Sequence, residues 1–273
     1  MSSGESPTTS EGPRRAPVSE NEGPKTNPGE IIGWPFLRID YPTDPEGIAA
    51  LLPPGIEPGA KANVELSIYC FPVPDEPEFG VVLSVDADYR GTAGKYAVGY
   101  GIDQESAVIF SREMNGQPKY QAEIDYWRMG PRVVAKCSHQ GYTFLEFEGQ
   151  SQGAIAHPEP ETENEWWVKV SRAVGGAEKA YDFAPHVVHV ATDYQTIHHE
   201  KVEGKLTLRE SPWDPIATQL PVRGDISARL WTAVPTSRNI ALAGALDPDA
   251  FWPFADTISG SRWRGVNGGP PKG

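Results

Sequence analysis

The stretch Ser111–Tyr120, with the sequence SREMNGQPKY, joins a short apolar run to a segment that alternates like a β-strand. Within it, Gly116 can adopt a positive φ, while Pro118 fixes its own φ and drives the preceding residue toward an extended backbone. This pattern predicts a rigid turn that presents Lys119 at the start of a strand. Alternation places Lys119 on the same strand face as acidic and amide side chains, which favours exposure to solvent. A barrel with a partly polar interior would enclose the same face, so the pattern leaves both placements open.

Segments with strand character recur at short intervals on both sides of this turn. In Asn63–Phe71, for example, Val64, Leu66 and Ile68 share one face, and polar side chains share the other. The other predicted strands are Phe79–Tyr89, Lys95–Tyr100, Arg132–Ala135, Thr143–Glu148, Glu165–Val170, His186–Thr192 and Lys205–Glu210. The segment Arg90–Gly94 is a plausible hairpin loop. With 28 glycines and 27 prolines in 273 residues, many turns and short strands are favoured over long helices.

The domain organisation follows from where apolar patterning begins and ends. Residues 1–30 are rich in Ser, Thr, Glu, Gly and Pro without apolar periodicity, which predicts a disordered tail. Residues 31–264 are predicted to form one domain, and residues 265–273 a flexible tail. A short helix is expected over Asp44–Leu52, with Asp44 as its cap and the following prolines as its stop. We therefore predict a mostly β domain, of the α+β class, with a few short helices.

The charge and the cysteine content restrict the classes of function. With 24 basic and 37 acidic side chains the net charge is −13, and such a surface disfavours nucleic acids and anionic membranes as partners. The sequence has no apolar run of transmembrane length and no signal-peptide pattern. Its two cysteines, Cys70 and Cys137, form neither a disulfide framework nor a zinc motif. A reduced, cytoplasmic location is therefore expected.

Several common sites are not supported by the sequence. The histidine pairs His186/His189 and His198/His199 would diverge on strands, so no metal site is predicted. No nucleophile elbow or phosphate-cradling glycine loop is present. The tryptophans of the second half are suited to packing in the core or at a subunit interface, although an aromatic-ligand platform stays open. They are Trp166, Trp167, Trp213, Trp231, Trp252 and Trp263.

Four segments, in the same order, resemble the acetoacetate decarboxylase family. The first is Arg112–Lys119, which is similar to the family's Arg-Glu followed by Pro-Lys-Lys. The others are the stretch Leu51–Pro58, the glycine- and tyrosine-containing segment Asp88–Tyr96, and the last strands within Gly204–Val222. Together they span most of the predicted domain. The resemblance implies an antiparallel β-barrel with a few short helices, and homo-oligomers as in the relatives.

The chemistry implied by the resemblance is imine formation on a keto acid. Lys119 matches the lysine that attacks the ketone, and the resulting iminium withdraws electrons from the adjacent carbon. Either carbon dioxide or a proton can then leave, so no separate cofactor is expected. The lysine must be unprotonated near neutral pH, through burial or a nearby cation. Acetoacetate decarboxylase is itself the established example of a lysine activated in this way.

Carboxylates are the implied partners of the lysine. Glu65 matches one active-site glutamate of the family, and Glu113 follows from the Arg-Glu motif. Both are candidates for proton transfer or for orienting polar groups. The second family glutamate aligns near Gly80, and Glu78 is the nearest acid.

The implied substrate-binding residues depart further from the family. The arginine beside the substrate carboxylate aligns near Trp34, with Arg38 as the closest substitute. Tyr120 stands where the family has a second lysine, so burial, or Arg112 or Arg128 if either folds close, would have to lower the lysine pKa. Tyr120 could donate a hydrogen bond if it faces the site.

The resulting prediction is a Schiff-base-forming lyase, either a decarboxylase or a diverged aldolase-dehydratase. The aromatic content favours a larger substrate than acetoacetate, and we expect one of secondary metabolism. The alternative is a non-catalytic barrel that binds a small molecule and has lost the reaction. A structural or interaction domain, in which Lys119 is only a surface charge, is the third interpretation.

Overall fold

The computed structural model describes residues 35–71, 77–255 and 263. The predicted tails, residues 1–30 and 265–273, and the candidate residue Trp34 lie outside the described residues. In the described part of the chain, no helix has the length and apolar character needed to cross a membrane.

The described residues form mainly strands, as predicted. The strands are β1 (Phe36–Pro42), β2 (Glu57–Pro58), β3 (Asn63–Phe71), β4 (Glu78–Tyr89), β5 (Thr92–Ile102), β6 (Lys119–Gln121), β7 (Glu123–Met129), β8 (Arg132–His139), β9 (Tyr142–Ala154), β10 (Glu161–Arg172), β11 (Tyr181–Leu208) and β12 (Ser227–Ala245). The helices are α1 (Pro45–Leu51), α2 (Glu105–Asn115), α3 (Ile216–Gln219) and α4 (Pro248–Phe251), and a 3₁₀ turn (Trp252–Phe254) follows α4. The mostly β class with a few short helices is confirmed.

The strands close into a ring. Within the described chain, β1, β3, β4, β5, β10, β11 and β12 are hydrogen-bonded in this order, and β12 pairs back with β1. These pairings are antiparallel, except that β5 and β10 run parallel where Glu165 pairs with Lys95. Closure leaves this ring without an open edge. The predicted antiparallel β-barrel is therefore confirmed, with one parallel seam.

Strand β11 connects the barrel to a second group of strands. It pairs with β10 and β12 in the ring, and its last residues pair with β9, which continues to β8 and β7. The separate strands predicted at His186–Thr192 and Lys205–Glu210 are therefore parts of one long strand. The sequence between them is polar and hides this continuity. Strand β7 folds back over the barrel, where the hydroxyl of Tyr126 donates to the carbonyl of Pro35 at 2.6 Å.

The alternation of β3 separates the apolar core from the barrel interior. Val64, Leu66 and Ile68 belong to the main core cluster, as the sequence predicted. On the other face, Glu65 and Tyr69 are also almost fully buried, at 6% and 3% exposure, because they face the inside of the ring. The alternation predicts the two faces correctly, but the polar face is enclosed instead of exposed.

Two local predictions differ in their outcome. The hairpin between β4 and β5 is confirmed, and its turn is the pair Arg90–Gly91, both with positive φ (54° and 84°). The apolar run before Ser111, which has the composition of a short strand, lies instead in helix α2. Within this run Val108 is buried, whereas Ile109 and Phe110 are 61% and 64% exposed. Only one side chain of the run faces the core, as in a helix with a single buried face. A short continuous apolar run therefore does not distinguish a strand from a helix here.

Candidate active site

The connection between α2 and β6 fixes the position of Lys119. Gly116 ends the helix in the left-handed conformation (φ 69°), and its N–H donates to the carbonyl of Arg112 at 3.0 Å. The carbonyl of Pro118 then accepts from the N–H of Tyr100 at 3.0 Å. Strand β6 continues parallel to β5, with Lys119 paired to Tyr100. The predicted rigid turn is therefore present, and it places Lys119 in the sheet.

Gly116 is required here by packing as well as by its backbone conformation. A Cβ atom at this position would lie 2.6 Å from Cα of Lys169 and 2.7 Å from the carbonyl oxygen of Val168. Both are backbone atoms of β10, which cannot move aside easily. Glycine thus allows the turn before Lys119 to lie directly against the barrel wall.

Lys119 projects into a cavity of about 760 Å³ inside the ring. Every strand of the ring contributes lining side chains, and many of them are polar or charged. The side chain of Lys119 is buried, with the residue only 7% exposed. The solvent-exposed placement favoured by alternation is wrong, because the polar face of this strand is turned toward the barrel interior.

The surroundings of Lys119 act on its pKa in opposite directions. Burial lowers the pKa of Lys119, and the positive charge of Arg238 lowers it further. Glu78 opposes both, because its Oε2 lies 3.4 Å from Nζ of Lys119 and stabilises the ammonium. The net pKa shift is downward. Burial and the charge of Arg238 thus act in the same direction on the pKa of Lys119.

Glu78 links Lys119 to a buried tyrosine. Its other oxygen, Oε1, accepts a hydrogen bond from the hydroxyl of Tyr69 at 3.2 Å. Burial and the nearby carboxylates of Glu78 and Glu165 raise the pKa of Tyr69 well above its usual range. Tyr69 is therefore a neutral donor that orients Glu78 toward the amine. The acid nearest to the aligned family position is thus the one in contact with Lys119.

Glu65 lies in the same cavity but in a separate ion cluster. Its Oε2 accepts from Nζ of Lys95 at 2.6 Å and from Nη2 of Arg229 at 3.3 Å. Burial alone would raise the pKa of Glu65, but Arg38, Lys95 and Arg229 lower it to about 2. Glu65 is consequently an anion at neutral pH, and its ion pairs are with cations other than Lys119.

Arg38 also lines the cavity, and its guanidinium is already engaged. Its two terminal nitrogens donate to the two carboxylate oxygens of Glu163, at 2.5 and 3.1 Å. Its guanidinium carbon lies 3.6 Å from the centre of a ring of Trp231. This is a buried, bidentate pair stacked on an aromatic face, an arrangement that arginine forms well.

The remaining predicted site residues are not brought to Lys119. Arg112 and Glu113 lie on the exposed part of α2 and do not line the cavity. The carbonyl of Glu113 accepts from Lys169 at 2.6 Å, so this residue contributes its backbone to packing. Tyr120 points away from Lys119, as alternation indicates, and its ring lies 4.8 Å from that of His139.

The charged residues of the cavity that were not predicted from the sequence include Glu161, Glu163, Glu165 and Arg238. Glu165 is held by the hydroxyl of Tyr100 and by Nε1 of Trp167 (2.8 Å), both on its Oε1, and burial raises its pKa. Alternation of Glu161, Glu163 and Glu165 could have placed these acids on one face. Arg238 lies in β12, where no strand was predicted.

The fold and the site together define a class: a closed β-barrel whose polar interior encloses a lysine beside a carboxylate. The sequence model of the acetoacetate decarboxylase (ADC) family matches residues 13–243 of this chain. The chain therefore belongs to the acetoacetate decarboxylase family.

Several solved structures have the same fold as this chain. An acetoacetate decarboxylase structure is 14% identical to this chain, with a TM-score of 0.69 over 78% of this chain and 87% of that one. The acetoacetate decarboxylase of Legionella pneumophila is 16% identical, with a TM-score of 0.68 over 83% and 93% of the two chains. MppR, an enduracididine biosynthesis enzyme complexed with pyruvate, is 16% identical, with a TM-score of 0.59 over 81% and 93%. Among curated proteins, no sequence matches this chain.

Proposed function

We propose that this protein is a Schiff-base-forming lyase that acts on a keto acid through Lys119. The observation that carries the proposal is the buried amine of Lys119, whose pKa burial lowers and whose Nζ lies 3.4 Å from Glu78. A lysine that is largely desolvated is a stronger nucleophile near neutral pH than a solvated one. Membership of the acetoacetate decarboxylase family supports the same chemistry.

The reaction begins with attack of Nζ of Lys119 on the ketone carbon of the substrate. The carbinolamine then loses water, and the product is an iminium that carries the positive charge. From a β-keto acid, carbon dioxide leaves and its bonding pair forms the enamine. From an α-keto acid, loss of a proton from the adjacent carbon gives an enamine that can attack an aldehyde. Hydrolysis of the final iminium returns the free amine.

Glu78 is the group best placed for the proton transfers. Its Oε2 is adjacent to Nζ of Lys119, and Tyr69 holds its other oxygen. Glu65 and Arg38 act indirectly. Glu65 pairs with Lys95 and Arg38 pairs with Glu163, and these ion pairs fix the charge of the cavity wall. Glu113 and Arg112 have no part in this proposal, because they lie outside the cavity.

The size of the cavity favours a substrate larger than the smallest keto acids. A volume of about 760 Å³ lies within the range of pockets that accept drug-sized ligands. Phe36, Tyr69 and Phe71 form an aromatic wall on one side of it, with ring centres 4.6 to 5.5 Å apart. The similar structure of MppR with pyruvate supports a keto acid as the substrate class, and the volume and the aromatic wall favour one with a bulky or aromatic second part.

The proposal is tested by trapping the iminium with borohydride. Incubation with pyruvate, and separately with β-keto acids and aryl keto acids, is expected to add one reduced substrate to the protein, located at Lys119 by peptide mass spectrometry. Lys119→Ala abolishes the adduct. Lys136→Ala, at an exposed lysine of β8, is the matched control and keeps it. If the intact protein forms no adduct with any of these compounds, the non-catalytic binding barrel becomes the better account.

A further inference from the structure

We propose that Arg238 binds the substrate carboxylate and thereby selects keto acids over uncharged ketones. This inference rests on the proposed function of Lys119 and names a residue that the family motifs do not include. Arg238 lies in β12 and lines the same cavity as Lys119.

The register of the barrel turns Arg238 toward the cavity. Arg238 is paired with Thr192 of β11, and Thr192 is in turn paired with Glu163 of β10. Directly paired residues on neighbouring strands share a face of the sheet. All three line the cavity, and Thr192 is only 3% exposed. Arg238 itself is exposed, so it stands where the cavity meets solvent.

The other cations of the cavity are already engaged or lie elsewhere. Arg38 is bound bidentately by Glu163, and Lys95 is held by Glu65. The positive charge of Lys61 acts to lower the pKa of Asp86. Among the described residues, Arg238 makes no ion pair within 4 Å, so its guanidinium is available to a ligand.

The charge of Arg238 also acts on the amine of Lys119. It is the cation, within the described part of the chain, whose field contributes to the lowered pKa of Lys119. In an α- or β-keto acid, the carboxylate lies one or two bonds from the carbon that the amine attacks. Arg238 and Lys119 line one cavity, so a keto acid held at Lys119 can direct its carboxylate toward Arg238. Arginine offers paired donors that match both carboxylate oxygens.

The test compares two probes, pyruvate and methyl pyruvate, which share the ketone but differ in the carboxylate charge. The half-saturating concentration for borohydride trapping is measured in the wild type, Arg238→Met and Arg238→Lys. We expect Arg238→Met to raise the half-saturating concentration about 10- to 100-fold for pyruvate. The half-saturating concentration for methyl pyruvate should change much less. Arg238→Lys should recover part of the loss. Arg132→Met, at an exposed arginine of β8, is the matched control.

Comparing the two probes separates carboxylate binding from any effect of Arg238 on the amine, which would change both probes equally. An equal change for both probes, or no change, overturns the proposal. Non-covalent pyruvate binding is also measured by NMR titration in Lys119→Ala and in the double variant Lys119→Ala/Arg238→Met. Weaker binding in the double variant supports the role of Arg238, and equal binding refutes it. If the wild type forms no adduct, only the proposed function is contradicted, because the NMR titration tests pyruvate binding by Arg238 independently.

Discussion

Nζ of Lys119 lies 3.4 Å from Oε2 of Glu78, and both side chains are buried in the barrel. The contact keeps the ammonium form more stable than burial alone would allow, while Arg238 acts against it. Glu78 therefore raises the pKa of Lys119, whereas burial and Arg238 lower it. Glu78 lies in β4 and Arg238 in β12, so each charge can be removed by its own substitution.

Glu78→Gln should make imine formation effective at lower pH. The neutral amide no longer stabilises the ammonium of Lys119, so the pKa of Lys119 falls further below its usual range. A larger fraction of the amine is then unprotonated at a given pH. The measurement is the initial rate of borohydride-trapped adduct as a function of pH, whose rise should move to lower pH.

The same substitution should reduce the maximal rate, since Glu78 is the proposed proton-transfer group. A loss on the order of 100-fold is expected when a general acid or base is removed. Glu203→Gln, at an exposed and surface-paired glutamate, is the control and should change neither quantity. A pH profile that moves to higher pH in Glu78→Gln would contradict the assignment.

Glu65→Gln should destabilise the fold. Its carboxylate neutralises Arg38, Lys95 and Arg229 inside the barrel, and an amide leaves these cations without their shared anion. Breaking a buried ion pair from one side costs about 3 kcal/mol or more in free energy of unfolding. Urea denaturation of both proteins at neutral pH gives this difference, and a cost below about 1 kcal/mol would place the cluster with ordinary surface pairs.

The contribution of Glu65 should also depend on pH in a defined window. Its pKa falls from 4.5 to about 2 on folding, so the folded state favours the charged form. The stabilisation is fully present above pH 4.5 and is lost as the pH falls toward 2. In this window the stability of the wild type should fall toward that of Glu65→Gln, by about 3 kcal/mol. A constant difference between the two proteins from pH 5 to pH 2.5 would argue against the lowered pKa.

Gly116→Ala should disturb the turn that positions Lys119. The left-handed backbone costs about 1 to 2 kcal/mol for a residue with a Cβ, and the contacts with β10 at 2.6 and 2.7 Å add about 1 to 3 kcal/mol of overpacking. The trapping rate should fall as well. Thermal or urea unfolding measures the first effect, and borohydride trapping the second.

Gly130→Ala is the matched control for the turn. Gly130 also has a positive φ (57°), but its added Cβ would meet no heavy atom within 4 Å. It should therefore show the backbone cost alone and a normal trapping rate. Equal effects of the two substitutions would mean that the packing of Gly116 against the barrel wall is unimportant.

Local rules were sufficient for the parts of this protein that depend on neighbours in sequence. The turn at Gly116 and Pro118, the hairpin at Arg90–Gly91 and the two faces of β3 follow from backbone preferences and alternation. Helix α1 likewise begins and ends within a residue of its predicted bounds. The family motif around Lys119 also indicated the fold before any contact was known.

Other features depend on which strands meet. Alternation gave Lys119 a polar face, and only closure of the ring turned that face inward. The exposed side of α2, with Arg112 and Glu113, was separated from Lys119 because the chain changes from helix to strand at Gly116. Burial is a property of the closed barrel, so no window of sequence could assign it.

By itself, the sequence predicted Lys119 as the candidate nucleophile through its resemblance to a family motif. It predicted the turn before Lys119 and the mostly β class because these depend on residue type and local geometry. Only the tertiary structure decided the partners of Lys119: Glu78 from β4 and Arg238 from β12. These two residues are 41 and 119 positions away from Lys119 in the sequence, by their residue numbers. Electrostatic interactions act through space, and the closed ring of strands brings these charges to one amine.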